Sequence, residues 1–563
     1  MVRYVRHLEQ PSTPQSQRAK PGQHKNAAGG YTFIIDDWAA LDRWLVLGAE
    51  GGTYYATERK LTRDNAQTIA RCLDRDGPRT VARIAEISAA GRAPKNDPAI
   101  FALAMAAGHD DPSTRGAALQ AMVQICRTGT HLLSFVDAVR KFRGWGRGLR
   151  SAICRWYLQR DARDLAYQVV KYQQRGGLSH RDVLRLAGGA LAKQSLSEAQ
   201  RAILRWVVAG ADYGPRTVHR REGGKALYGA VDPSALPEPI VAYEAVKAAS
   251  PVEIPKLITD HRLTHEMVPA EHKGHAEVWA ALLPHMPLTA MLRNLGRLSS
   301  LGVLTPMSDA ARLVAERLGD HERLRRARVH PLSLLVALET YRRGCGVRGS
   351  LTWAPVGTIA DALDEAFYAA FDWTPPTGRK RLIALDVSGS MGWGSIAGMP
   401  GITPRVGSAA MAMTTMRSES QWHVLAFASA TRHGWHAPDP DDGLMQLDLS
   451  ASMRLDEVVD RLSQLPFGGT DCALPMRWAT KHRVELDAIE IYTDNETWAG
   501  DIHPHQALEQ YRQTLGRPCK LAVVGMTATR FSIAAPQDPD MMDVVGFDST
   551  APKVLADFIR QDG

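Results

Sequence analysis

The sequence predicts two architectures in one chain, an all-helical first part followed by an α/β domain built on a parallel sheet. Three observations carry this. Between about 62 and 372, apolar residues recur at i, i+3 and i+4, and no strand-like run interrupts them. From 381 onward, apolar strand runs at 381–386, 423–428, 488–493 and 520–525 alternate with helical patterns near 405–418, 454–465, 474–482, 505–515 and 552–560, as a parallel sheet requires. Between the two parts lies Pro375-Pro376-Thr377-Gly378, a natural junction. At 563 residues the chain exceeds a single core and should hold two or three domains.

In order, residues 1–28 read as an extended lead-in rich in Pro, Gln and Gly, and the helical part as 29–376. Asp36 and Asp37 cap a first amphipathic helix carrying Leu41, Trp44, Leu45 and Leu47. EGGTYY at 50–55 is a turn. Helical periods follow at 65–73, 81–89, 99–107, 117–125 and 132–142, with breakers at Asp110-Asp111-Pro112 and Gly176-Gly177. No fixed repeat length is visible, so a helical solenoid is compatible with the pattern without being required by it. The α/β domain occupies 377–563, with a surface loop at 439–443.

The six cysteines are scattered without a C-x-x-C pair, which suits a reducing compartment and argues against a zinc ribbon or a disulfide scaffold. No apolar run of about 18 residues occurs and the first residues lack a signal-peptide core, so the expectation is a cytoplasmic protein without a membrane span. The net charge of +8 hides an asymmetry. Residues 377–563 hold 17 Lys+Arg against 23 Asp+Glu, whereas residues 1–376 hold 51 against 37. A positive first part facing outward implies a polyanionic partner.

That charge is concentrated at 140–193, with 13 Lys+Arg against three Asp. The candidates for phosphate contact are Arg140, Lys141, Arg143, Arg147, Arg150, Lys171, Arg175, Arg181 and Arg185, with Tyr172 and His180 beside them. Lys171 and Arg175 are read as four apart on one helix face, and Arg181 and Arg185 repeat the spacing one helix later. Interleaved Trp145, Trp156, Tyr157 and Tyr172 could stack on unpaired bases. A solvated helix face is the ordinary reading of a charge run, but the scarcity of acids argues against it.

Several motifs carry no chemistry. GCGVRG at 344–349 fits G-x-G-x-x-G but follows a helical run rather than a strand. His261, His265, His272 and His275 lack the H-E-x-x-H register, and Pro269 interrupts them. No Walker A sequence or nucleophilic triad announces itself, and no general base is evident for a hydrolase.

The chemically informative part of the second domain is RLIALDVSGSMGWG at 381–394. A strand ends at Asp386, and Asp386, Ser388 and Ser390 follow at alternate positions. A loop leaving the carboxyl end of a parallel strand is where such sheets hold ligands. One carboxylate with two hydroxyls makes an oxygen-only site suited to a hard divalent cation, Mg²⁺ before Zn²⁺. A Ser-rich turn would look the same in isolation. Two further stretches, FGGTD at 467–471 and IEIYTDN at 489–495, bring Thr470 and Asp494. Together the three pieces resemble the metal-ion-dependent adhesion site of von Willebrand factor A domains. The resemblance implies that Ser388, Ser390 and Thr470 ligate Mg²⁺ (or Mn²⁺ or Ca²⁺) directly. It implies that Asp386 and Asp494 act mostly through water, and that the ion accepts a carboxylate from an acidic protein or ligand.

Across the whole chain, ordered matches resemble the Ro 60 kDa ribonucleoprotein family, the TROVE-domain proteins. They include PQSQ at 14–17, GGYTFIIDDW at 29–38, LGAEGGTYYA at 47–56, GWGRGLR at 144–150, VKYQQR at 170–175, SHRDVLRL at 179–186, MPLTAMLRNLG at 286–296, HPLSLLVALETYRRG at 330–344, PTGRKRLIALDVSGSM at 376–391, FGGTDCALPM at 467–476 and TDNETWAG at 493–500. The resemblance implies a monomeric ring of HEAT-like helical repeats closed by the A domain. Such a ring would take Y-like RNA on its outer surface and single-stranded 3′ ends of misfolded noncoding RNA in a basic central hole. The same resemblance implies a place in RNA quality control, maturation or decay with a 3′-to-5′ exoribonuclease. It also puts Lys171, Arg175, His180 and Arg185 on the RNA surface. Gly188 stands where the family usually has a histidine, and residues 392–401 look like an insertion. The reading is an RNA-binding protein without catalytic activity; the alternative is a metal-dependent protein-interaction scaffold using the A domain.

Overall fold

The computed structural model describes residues 12–50, 52–191, 193–209, 233–347, 349–371, 375–429, 443–465, 468–548 and 550–561. Most of the predicted 439–443 loop lies outside these.

The helices begin where the sequence supplies caps. Asp36 accepts the Ala39 N–H at 2.7 Å to open Asp37–Leu47. Asp111 accepts the Thr114 N–H at 2.7 Å, and Pro112 occupies the first turn of Pro112–Ile125, where its missing N–H costs nothing. Asp161 does the same for Ala162–Lys171 at 2.8 Å. The periods at 65–73 and 81–89 belong to one run, Glu58–Ala90, kinked at Asp76 (φ −161°, ψ 87°) two residues before Pro78. Pro78 cannot continue the hydrogen-bond ladder, and Asp76 recaps the second half by accepting the Arg79 N–H at 3.0 Å.

Successive helices pack on near neighbours in sequence through Asp97–Gly108, Gly129–Phe142, Arg147–Leu158, His180–Leu191 and Glu198–Ala209, and on to Gly357–Ala369. The series then meets its own beginning. Arg328 donates to the Ala89 carbonyl at 3.1 Å, and the His330 ring lies 3.2 Å from the Arg92 carbonyl oxygen. The expectation that no strand interrupts this part needs correction, because Gln174–Arg175 pairs antiparallel with Leu178–Ser179. Gly176 and Gly177, at φ 57° and 78°, make that hairpin possible.

The second domain is α/β. Its sheet runs Met541–Val544, Lys520–Gly525, Ala488–Thr493, Arg381–Asp386, Trp422–Phe427 and Leu444–Gln446. All neighbours are parallel except the last pair, which makes the sheet mixed. The two edge strands are short and only partly buried, so they lack the apolar signature of the four central ones. At the foot of the sheet, buried Arg381 pairs with Glu419 at 2.8 Å and with Glu490.

The two domains are bound at both ends of the helical series. Arg43, 1% exposed, donates to the carbonyls of Thr529 (2.8 Å) and Phe531 (2.9 Å) and pairs with Asp543. From the last helices, Arg342 pairs with Asp456, and Asp361 pairs with Arg454. The lead-in is also built in. Gln23–Lys25 and Tyr31–Ile34 form a sheet with Phe531–Ser532, and buried Gln15 donates to Asp471 at 2.6 Å. Strands of three and four residues give too short a period to be read from sequence.

Candidate metal centre and nucleic-acid interface

Asp386 ends the strand Arg381–Asp386, and Asp494 follows the adjacent strand Ala488–Thr493. The chain passes to one side of Arg381–Asp386 first and to the other side later, so these two loops flank the point where strand order reverses. Asp386 accepts the Ser388 N–H at 2.9 Å and the Thr493 hydroxyl at 2.7 Å. The Ser388 and Ser390 hydroxyls lie 3.2 Å apart. Thr470 is buried, and its hydroxyl has no hydrogen-bond partner among the described residues. Asp386, Ser388, Ser390, Thr470 and Asp494 are all within 5% of full burial.

Burial, and then the charge of Asp494, push the Asp386 carboxyl up to about 7. Burial also raises Asp494, against a hydrogen bond from Ser390. Two residues on, burial followed by Asp494 raises Glu496 to about 8, and Glu496 accepts the Ala28 N–H at 3.0 Å. Two buried carboxyls on adjacent loops, Asp386 and Asp494, both raised by burial, and a buried Thr470 hydroxyl without a partner among the described residues fit a bound cation, which would restore the ionised forms. Among the described residues no cluster of three or more His, Cys, Asp and Glu could hold a metal. The serine and threonine hydroxyls would therefore be needed to complete a donor set.

Sequence reasoning missed Tyr55, whose hydroxyl hydrogen-bonds Ser390 and is raised by burial and by Asp494. Only its setting in a Gly-rich turn was visible. The segment carrying it lies over the site: a cavity of about 20 Å³ is all that remains among Gly52, Tyr54, Ser390, Trp393 and Asp494.

The basic stretch divides into surface and foundation. Arg140, Arg147, Arg150, Arg175, Arg181 and Arg185 are exposed, and none forms an ion pair among the described residues. Arg181 and Arg185 lie one turn apart on His180–Leu191, which packs against Arg147–Leu158 and Gly129–Phe142. Lys141 pairs with Asp137 at 2.8 Å, and Arg143 lies 3.9 Å from Asp110.

Other predicted placements need correction. Lys171 and Arg175 do not share a helix face, because the helix ends at Lys171 and Arg175 sits on the hairpin. Half-buried Lys171 has its ammonium over the Tyr167 and Tyr172 rings and donates to the Tyr167 hydroxyl at 2.9 Å. Burial opposes its charge, yet Tyr167, Tyr172 and Glu266 (3.9 Å) leave its pKa raised. His180 is 2% exposed, with Nδ1 2.6 Å from the Tyr157 hydroxyl, and burial lowers it to about 4. It is a neutral core group rather than a surface contact. Trp156 and Tyr157 are buried as well, so neither can stack on a base. Arg160 is packed over Trp156 at 3.8 Å and donates to the Trp156 and Arg127 carbonyls.

The TROVE domain is matched over residues 24–225 and 256–342, and the Ro60 vWA domain over 380–559. The chain is 39% identical over 562 residues to the RNA-binding protein RO60 of Deinococcus radiodurans, covering 100% of this chain and 99% of the relative. It is 34% identical over 605 residues to the RNA-binding protein RO60 of Caenorhabditis elegans, covering 97% of this chain and 91% of the relative. The crystal structure of the Deinococcus radiodurans RO (RSR) protein superposes with a TM-score of 0.67 over 93% of this chain and 99% of that one. A helical series that meets its own start, clamped at both ends to an A-type sheet domain and matched over its full length, belongs to the Ro60 family.

Proposed function

We propose that this protein binds noncoding RNA, with its exposed arginines on phosphate and without catalysing a reaction. The observation that carries the reading is the set of exposed arginines, none in an ion pair among the described residues, on three adjacent helices and a hairpin. Each arginine that meets a phosphate releases condensed counterions, and a guanidinium offers a planar fork to the anion. The family relation supports RNA over other polyanions, since two relatives carry the name RNA-binding protein. In the finer form of the reading, Y-like RNA lies on the outer arginine surface, and single-stranded 3′ ends of misfolded RNA enter a basic cavity. The protein would then present those ends to a 3′-to-5′ exoribonuclease in the cytoplasm.

The A domain would hold Mg²⁺ through Ser388, Ser390 and Thr470, with Asp386 and Asp494 supplying negative charge around it. The ion there would act as an electrophilic anchor for an oxygen anion. The rival reading, a metal-dependent protein scaffold, draws on the exposed Tyr54, Trp393 and Trp498 around the site. Purification from cells separates the two. RNA retained through moderate salt washes, identified by crosslinking and sequencing, supports the first. A protein partner released by chelation, with no RNA, supports the second.

A further inference from the structure

The loops of the candidate cation site are held by residues from the start of the chain. Gln15 donates to Asp471, the neighbour of Thr470, at 2.6 Å. Beyond Asp494, Asn26 donates to the Thr497 carbonyl at 2.8 Å, and the Ala28 N–H donates to Glu496 at 3.0 Å. On the third loop the Tyr55 hydroxyl hydrogen-bonds Ser390. This last contact differs from the others. Tyr55 touches one of the hydroxyls expected on the ion, and its own hydroxyl lies in the field of Asp494, Glu496 and Asp386.

Tyr55 belongs to a turn that is built to stay in place. Gly52 has φ 66°, and a Cβ there would meet the Ala56 carbonyl oxygen at 2.8 Å, so the turn requires glycine. The Thr53 N–H donates to the Ala56 carbonyl at 2.7 Å, and the Ala56 N–H donates to the Thr53 hydroxyl at 3.0 Å. The loop after Ser390 closes on the turn from the other side. A Cβ on Gly394 would meet the Gly52 carbonyl oxygen at 3.2 Å, and Trp393 sits edge-on to Tyr54 with centroids 6.4 Å apart. Lys95, paired with Glu50, donates to the Gly398 carbonyl at 2.8 Å.

These contacts leave a cavity of about 20 Å³ beside Ser390 and Asp494, space for about one water. A cation that captures a carboxylate from another protein must keep one coordination position open to it. A gap of this size does not admit an ion and a foreign side chain together. We propose that the turn at 52–56 is the A domain's own ligand segment, with the Tyr55 oxygen in the place that an outside carboxylate would need. The cation then clasps the two domains of one chain, and an outside anion enters only by displacing Tyr55. Because Tyr55 is tethered, it competes at a high effective concentration. The inference rests on the Mg²⁺ reading above and names what the ion meets.

The test uses the full-length protein. Calorimetry with Mg²⁺ establishes whether the site loads. Acetate is then titrated into the Mn²⁺-loaded protein, and its binding is read from the water-proton relaxation of the bound Mn²⁺. Tyr55→Phe keeps the ring and loses the oxygen, and it should bind acetate at least threefold more tightly than wild type. Tyr55→Ala also removes the ring and should gain at least tenfold; should it fail to fold, Tyr55→Phe alone decides. Acetate that binds wild type as tightly as Tyr55→Phe overturns the clasp and leaves the cation reading in place. Weaker acetate binding by Tyr55→Phe also overturns it, and makes the hydroxyl a donor to a captured anion instead. Wild-type protein that takes up no Mg²⁺ removes the cation reading and the clasp with it.

Discussion

The Tyr157 hydroxyl sits 2.6 Å from Nδ1 of His180, and both residues are buried beneath the exposed Arg181 and Arg185. The histidine is thus part of the floor that positions the arginines. Burial lowers its pKa to about 4, against about 6.5 in an unfolded chain. The unfolded state therefore takes up the proton first, and the stability present above pH 6.5 is lost as pH falls toward 4. The loss from this group amounts to about 3 kcal/mol. Urea unfolding at pH 7.5 and 4.5 should show it, and His180→Phe should reduce the difference between the two pH values. An unchanged difference would remove His180 from the acid response.

Arg381 offers a second stability test. Its guanidinium is the partner that Glu419 and Glu490 share in the interior. Arg381→Met would leave two carboxylates buried without it, a loss on the order of 3–5 kcal/mol. Thermal unfolding should report a large drop for this variant, and a melting temperature close to wild type would show that the two acids find other partners.

Much of this was legible beforehand because the signals were local. The cap at Asp36, the strand ending at Asp386 and the alternation after 381 each need only a few neighbouring residues. What escaped depends on contacts distant in sequence. Nothing near position 55 says that a tyrosine hydroxyl will reach Ser390, and nothing near position 15 says that a glutamine will be buried against Asp471. The basic run misled for a related reason. A period of four residues places Lys171 and Arg175 together only if the helix continues, and Tyr172 caps it instead. Likewise Trp156, Tyr157 and His180 read as interface residues because charge surrounds them, although they face the core between the helices.

The metal centre predicts that Mg²⁺ raises the melting temperature of the wild-type protein, since an ion that binds only the folded state stabilises it by mass action. Asp386→Ala should abolish that shift, and Thr470→Val should diminish it, because the threonine hydroxyl has no other partner among the described residues. RNA affinity should be unaffected by either change. Calorimetry showing stoichiometric Mg²⁺ on Asp386→Ala would refute the assignment.

Lys171 and the exposed arginines should differ in weight. The ammonium of Lys171 is held by Tyr167 and neighboured by Glu266, so Lys171→Ala should weaken RNA binding less than Arg175→Ala does. Side-by-side filter binding of the two single variants decides this, and a larger loss for Lys171→Ala would reverse the ranking.

The most direct measurement is a salt series on a structured RNA bearing a single-stranded 3′ tail, comparing wild type with the combined Arg175→Ala, Arg181→Ala and Arg185→Ala variant. If these guanidiniums neutralise phosphates, affinity falls for every RNA sequence tried. The slope of log K against log salt then flattens by about one for each phosphate no longer neutralised, roughly two to three in all. A variant with wild-type affinity and wild-type slope would contradict the claim that this arginine surface is where the RNA backbone lies.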